Sequence, residues 1–346
     1  TIEAELSAVD TVIAGARPFD GPQAALAATS SRIRLERVSA SAQFGAGVTA
    51  TPLDNESERS SLDARALSLE VIGFTPAAVH LEQTDASIRG LQTVGGVVGV
   101  HLVEVDGEVT DWVGRGNGQV GLNAERSGLD FTGADVEGFA TGGLLMGGRV
   151  TFEALSLSGG RGLLATDAEV SLESAQMTDL REVALSAQAG ARVSARLLVV
   201  DGVSPSEEED FAPAFQAHEG GRLEIEHAVL TGATGRAISL TQQGQLDAVG
   251  LLVEQIRPAG PHGHALTVEA GAKARFARFE LLDAPVAGVL VNAAECQLGE
   301  GLISGAEGPA VELVGEVGFE DQAAVYRDNG DNSATCDGFC SIRPPE

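Results

Sequence analysis

Val150-Thr151-Phe152-Glu153-Ala154-Leu155-Ser156-Leu157 sets a pattern that Val170-Ser171-Leu172-Glu173-Ser174-Ala175-Gln176-Met177 repeats in other letters. Apolar and polar residues alternate, a two-residue gap follows, and the alternation resumes. Period-two alternation marks a strand with one buried face, and the gap marks a bend. The stretches from Leu62, Leu129 and Leu223 carry the same pattern. A second motif runs out of phase with it: a small residue, an aliphatic one, any residue, then an apolar one. Gly47-Val48-Thr49-Ala50, Gly99-Val100-His101-Leu102, Ala237-Ile238-Ser239-Leu240 and Ala310-Val311-Glu312-Leu313 are instances. Recurrence every roughly 20 to 30 residues is the signature of a solenoid. Coil starts fall near Ile33, Leu62, Ile88 and Val109 early in the chain, and near Val193, Leu223, Cys296 and Val317 later. The expected architecture is all-β, with about fourteen coils of the size solenoids use.

Short strands, glycine at turns and lean coils resemble the right-handed parallel β-helix of the pectate-lyase-like superfamily. In wording the repeats look most like the alanine-rich β-helix repeat proteins of bacterial surfaces. The resemblance covers residues 2–324 and implies architecture rather than activity; residues 325–346 are expected to form a short C-terminal cap. A left-handed β-helix would need hexapeptide units, and leucine-rich repeats a fixed Asn or Cys; neither is present.

Fifty acidic residues face twenty-two basic ones, for a net charge of −28. Phosphate binding needs basic stripes, so nucleic acid is excluded as an expected partner, and anionic membranes are disfavoured. The charge keeps a large β surface soluble; calcium binding or salt adaptation is the alternative use. No stretch approaches the roughly 18 apolar residues of a membrane helix. A secreted or bacterial cell-surface protein, its signal peptide removed from this numbering, is the expectation.

Cys296 takes the inward position of Val193 and Leu223, so a buried thiol is expected there. Cys336 and Cys340, in Cys-Asp-Gly-Phe-Cys, are expected to close a short disulfide loop, which suits an oxidising compartment.

Insertions are where a solenoid departs from its own rule, and function is sought there. Three insertions leave the same corner: Asp10 to Gln23, Asp201 to Pro213 and Glu254 to His264. The second carries Glu207, Glu208, Glu209 and Asp210; the third carries His262 and His264. Carboxylates facing two histidines suit a metal site or an acid–base pair, while a solvated acidic run beside ordinary loop histidines is the plainer reading. Beside these loops the outward positions turn apolar at Val199, Val229 and Leu252. Such a patch wants a cover, expected from Phe211 and Pro213 folding back, or else it is a shallow ligand groove. Asp328 and Asp331 lie in an Asp- and Asn-rich stretch that fits a turn or a weak calcium loop.

No catalytic residue is assigned. The Asp-Asp, Asn-Thr-Asp and Arg-Ile-Lys signatures of polygalacturonases are missing, and Gly260-Pro261-His262-Gly263-His264 echoes Gly-His-Gly poorly. Glu224 and Asp247, on consecutive coils, are the one candidate carboxylate pair for glycosidase chemistry. The preferred expectation is a non-catalytic scaffold presenting loops to a protein or glycan, with self-association or an upstream domain at the first coil. A polysaccharide lyase or glycoside hydrolase is the alternative.

Overall fold

The computed structural model describes residues 4–16, 24–42, 46–52, 59–71, 77–207, 211–337 and 340–343. Among these residues there is no helix, and the chain forms a parallel β-solenoid of about 13 turns, one fewer than the sequence suggests. It divides into two compact units, Thr1–Gly160 and Arg161–Glu346.

In the first unit each turn has three strand faces. The strand Ser60–Val71 supplies two of them, bent at Ala66, and Ala77–Glu82 supplies the third. Alternation sends every second side chain inward, and parallel pairing stacks like on like. One interior ladder runs Leu35, Ala64, Ile88, Val109, Phe131 and Phe152. The Phe131 and Phe152 rings stack with centroids 4.9 Å apart, and Trp112 lies 5.9 Å from Phe131. Trp112 is buried, and its indole N–H donates to Thr93 Oγ1 at 3.2 Å, so no polar atom is orphaned by that burial.

The ladder corrects the sequence reading of where turns begin. Leu62 pairs with Ala86, while Ile88 pairs with Ala64 and Val109. Ile88 and Val109 are thus the second inward residues of their strands. A slip of two residues leaves every side chain on its original face, so the alternation alone does not detect it.

The second unit repeats the plan. Its interior ladder Val193, Leu223, Leu246, Ala274, Cys296 and Phe319 holds Cys296 inward and buried, as expected. Burial pushes that thiol up to about 12, where it has little thiolate character. Here too a start moves by two residues, because Phe319 rather than Val317 is the partner of Cys296. Phe279 is accommodated by Gly301 on the next turn, where a Cβ would come within 2.5 Å of the ring. Residues Asp331–Asp337 pair in parallel with Pro309–Val314, and Cys340–Arg343 with Val317–Glu320. The Cys336–Cys340 expectation involves the Cys340 side chain, which lies outside the described residues.

Corners are made by single left-handed residues. Gln83, Glu104 and Arg126 mark one corner on successive turns of the first unit, with φ between 46° and 55°, and Gly147, at φ 65°, takes that place on the next turn. Most residues pay about 1 to 2 kcal/mol for that conformation. Its recurrence means that the neighbouring ladders dictate the backbone path at the corner.

Candidate functional site

The second and third insertions both dock on the turn between them. The N–H of Ala212 donates to the Thr234 carbonyl at 2.8 Å, and the N–H of Gly235 to the Arg257 carbonyl at 2.8 Å. Gly235, at φ 79°, is required at this junction, since a Cβ there would lie 2.6 Å from that of Phe211. The two loops meet where the Phe211 and His262 rings pack edge to face, with centroids 5.2 Å apart.

Arg236 is the centre of this arrangement. Its guanidinium lies 4.7 Å above the centre of the Phe211 ring, and Nη1 donates to Glu269 Oε2 at 2.9 Å. Nη2 faces His262 Nδ1 at 3.4 Å. A guanidinium can only donate, so that nitrogen of His262 carries its lone pair toward the arginine. His264 is the ladder partner of Arg236 and is only 4% exposed. Burial first, then the charges of Arg236 and His262, pull its pKa down to about 4.

Among the described residues the carboxylate brought to the cluster is Glu269, and it faces Arg236 rather than an imidazole. A cation between His262 and His264 would be repelled by the guanidinium. Glu207 is exposed; Glu208, Glu209 and Asp210 lie outside the described residues. The expected cover also differs. Phe211 packs on Arg236 and His262, Pro213 is buried, and Val199 and Val229 stay 45% and 36% exposed, with Leu252 half-buried on the same ladder. Glu280 ends this apolar run on the following turn. The Arg236 guanidinium over its ring face and the His262 ring beside it seat Phe211 at the loop junction.

Glu224 and Asp247 do sit side by side on consecutive turns. Both are engaged by arginine: Arg192 donates to Glu224 at 2.7 and 2.8 Å, and Arg222 to Asp247 at 2.7 Å. Burial alone would raise the Glu224 carboxyl, yet the hydrogen bond from Arg192 and the charges of Arg222 and Arg192 hold it below the usual range. Such a group stays ionised and is unsuited to donating a proton.

A further pair escaped the sequence reading. Asp85 and Asp106 are ladder neighbours in a shallow groove of the first unit. Arg59 joins them, with Nε 2.9 Å from Asp85 and Nη2 3.0 Å from Asp106, and it is anchored on the Glu104 carbonyl at 2.9 Å. The usable signal is the repeated acidic residue before the first inward position of each of these strands.

In the Asp328 to Asp331 stretch, Asn329 accepts from the Ala306 N–H and donates to the Ile303 carbonyl, while Asn332 Oδ1 accepts from Asn329. The amide oxygens there hold a corner. Among the described residues no group of three or more His, Cys, Asp or Glu side chains is arranged to hold a metal ion. No helix among them is long and apolar enough to cross a membrane. In comparisons with known proteins, no family model, no curated protein and no solved structure matches the chain.

Proposed function

We propose that this chain is a non-catalytic β-solenoid scaffold, displayed at a bacterial surface or secreted, whose ladders and corner loops serve binding or assembly. The observation that carries the reading is the engagement of two neighbouring carboxylate pairs, Glu224 with Asp247 and Asp85 with Asp106, by arginines, while a further ladder pair, Glu108 with Asp130, lies exposed on the strand face. Hydrolysis of a glycoside needs one carboxyl that gives up a proton and one that is free to attack or to activate water. Carboxylates paired with guanidinium groups instead brace successive turns. The cluster around Arg236 supports the same reading, because its charges are spent on pinning two loops together.

An exported setting suits the acidic composition and the Cys336–Cys340 spacing. The right-handed winding and alanine-rich character of the pectate-lyase-like solenoids are the proposed parentage. The strip of Val199, Val229 and Leu252 is the part of the surface that a protein or glycan partner would bury with most gain. Calcium, if it acts, does so through the acidic corner loops.

The test is incubation of the protein with a panel of uronans and neutral glycans. Reducing ends and unsaturated ends are measured, with light scattering in the presence and absence of calcium. The scaffold reading expects no new ends from any glycan. Turnover abolished by Glu224→Gln or Asp85→Asn would overturn it in favour of a polysaccharide lyase or hydrolase.

A further inference from the structure

We infer that His80 and His101, with Asn123 beside them, form a binding site for a divalent transition-metal ion on the third strand face of the first unit. The two histidines are direct ladder partners at the outward position of successive turns, and Asn123 is the next residue along that ladder. Their Nδ1 atoms lie 3.1 Å apart, and the rings are tilted by 51° rather than stacked flat. The tilt turns nitrogen toward nitrogen.

Glu125 sets the chemistry of the pair. Its Oε1 lies 3.3 Å from His101 Nε2, and an ionised carboxylate only accepts, so Nε2 carries the hydrogen and Nδ1 carries the lone pair. A carboxylate on the far nitrogen of a metal-binding histidine is the arrangement that fixes tautomer and ring orientation. With His80 in the same tautomer, two lone pairs converge on one point. For metal–nitrogen bonds of about 2.05 Å, a separation of 3.1 Å implies an N–metal–N angle of roughly 98°. That lies between the right angle of a square-planar ion and the wider tetrahedral one. In the ion-free protein the same contact is closed by His80 Nδ1–H donating to His101.

A second, independent observation points to a ligand. Asn123 Nδ2 donates to Glu125 Oε1 at 3.3 Å, while Asn123 Oδ1 is buried and has no hydrogen-bond partner. Buried acceptors are normally satisfied, and an orphan on the rung next to His101 is accounted for by an ion or an ion-bound water. The His101 and Glu125 side chains are 25% and 28% exposed, which leaves room for solvent to complete the coordination shell. Two imidazoles with one amide oxygen favour Cu2+, Ni2+ or Zn2+ over Ca2+ or Mg2+, and Cu2+ most.

The experiment strips the protein with a chelator and titrates it with Cu2+, Ni2+, Zn2+ and Ca2+ by calorimetry. The Cu2+ complex is also examined by electron paramagnetic resonance. The expected result is one transition-metal ion per chain, with hyperfine structure from two nitrogens, and no displacement by Ca2+. His80→Asn and His101→Asn each weaken binding at least tenfold, whereas His262→Asn leaves it unchanged. Asparagine already occupies the next rung, so these variants keep the fold, checked by circular dichroism. Glu125→Gln leaves both rings in place and weakens binding about tenfold by releasing the His101 tautomer. Failure to take up any of the three transition metals would overturn the assignment, as would uptake undiminished in both histidine variants.

Discussion

Acid should loosen the second unit through one residue, His264. Its folded pKa is about 4 against an ordinary 6.5, because it is buried beside Arg236 and His262. The unfolded chain therefore binds a proton between these values that the folded chain refuses. Where the unfolded state binds more protons, stability rises with pH, so this contribution is whole above about 6.5 and drains away as the pH falls toward 4. A difference of roughly two and a half units, at 1.36 kcal/mol each, is about 3 kcal/mol. Paired carboxylates such as Glu224, whose pKa is depressed, lose their contribution only below their ordinary value of 4.5, so they leave the upper part of the window to histidines. His80, also depressed, titrates in the same direction in the other unit and is removed from the comparison by working in a His80→Asn background. The assay is urea denaturation at half-unit steps from pH 7 to 4.5, in that background, with and without His264→Asn. Asparagine keeps an acceptor near the Gly263 N–H, which lies 3.5 Å from Nδ1. The histidine protein should lose roughly 2 to 3 kcal/mol more than the asparagine variant across this range. Parallel stability profiles would refute the reasoning, because they would mean that His264 is as accessible to protons when folded as when unfolded.

Arg236→Met should cost about 2 to 4 kcal/mol, from a charge-assisted hydrogen bond and a cation–π contact, and should raise the His264 pKa. A double-mutant cycle with Glu269→Gln and an NMR titration of the imidazole measure the two effects. Phe131→Ala removes a buried ring stacked on Phe152 and should cost about 3 to 5 kcal/mol. Hydrogen exchange should show the loss concentrated in the turns that contact Phe131, as expected when each repeat touches only its neighbours. Ala66→Gly should be neutral or stabilising by up to about 1 kcal/mol, because φ is 52° there and glycine relieves a cost comparable to its own unfolded-chain entropy. Ala64→Gly, in a strand and fully buried, should lose at least about 1 kcal/mol in the same denaturation assay.

Inward residues were legible because burial on one face of a strand imposes alternation, and a solenoid repeats it turn after turn. What alternation does not carry is register, which is why alternation alone sets Ile88, Val109 and Val317 two residues off as turn starts. The junction of the two loops was foreseeable from their shared corner, but Arg236 was not. It belongs to an ordinary turn between the insertions, and its importance comes from what folds onto it. Charged outward residues are the least legible class. Whether Asp85 meets another carboxylate or an arginine depends on Arg59, which reaches across from outside the strands. His80 and His101 were the opposite case: their match was visible at the variable position of the small-aliphatic motif, and only its meaning went unread.

The corners have a consequence for how such a chain changes length. Gln83 and Glu104, twenty-one residues apart, have φ of 46° and 55°, and their side chains hydrogen-bond to each other across the turn. A turn asks of its neighbours only a parallel partner at each strand and a corner of the same shape. Loss or duplication of one whole turn in the gene would present the flanking ladders with equivalent partners. Shifts of one residue would instead turn every inward side chain out. Length within the strands is thereby quantised: whole turns can be added or removed there, while fractional changes fit only in the corner loops.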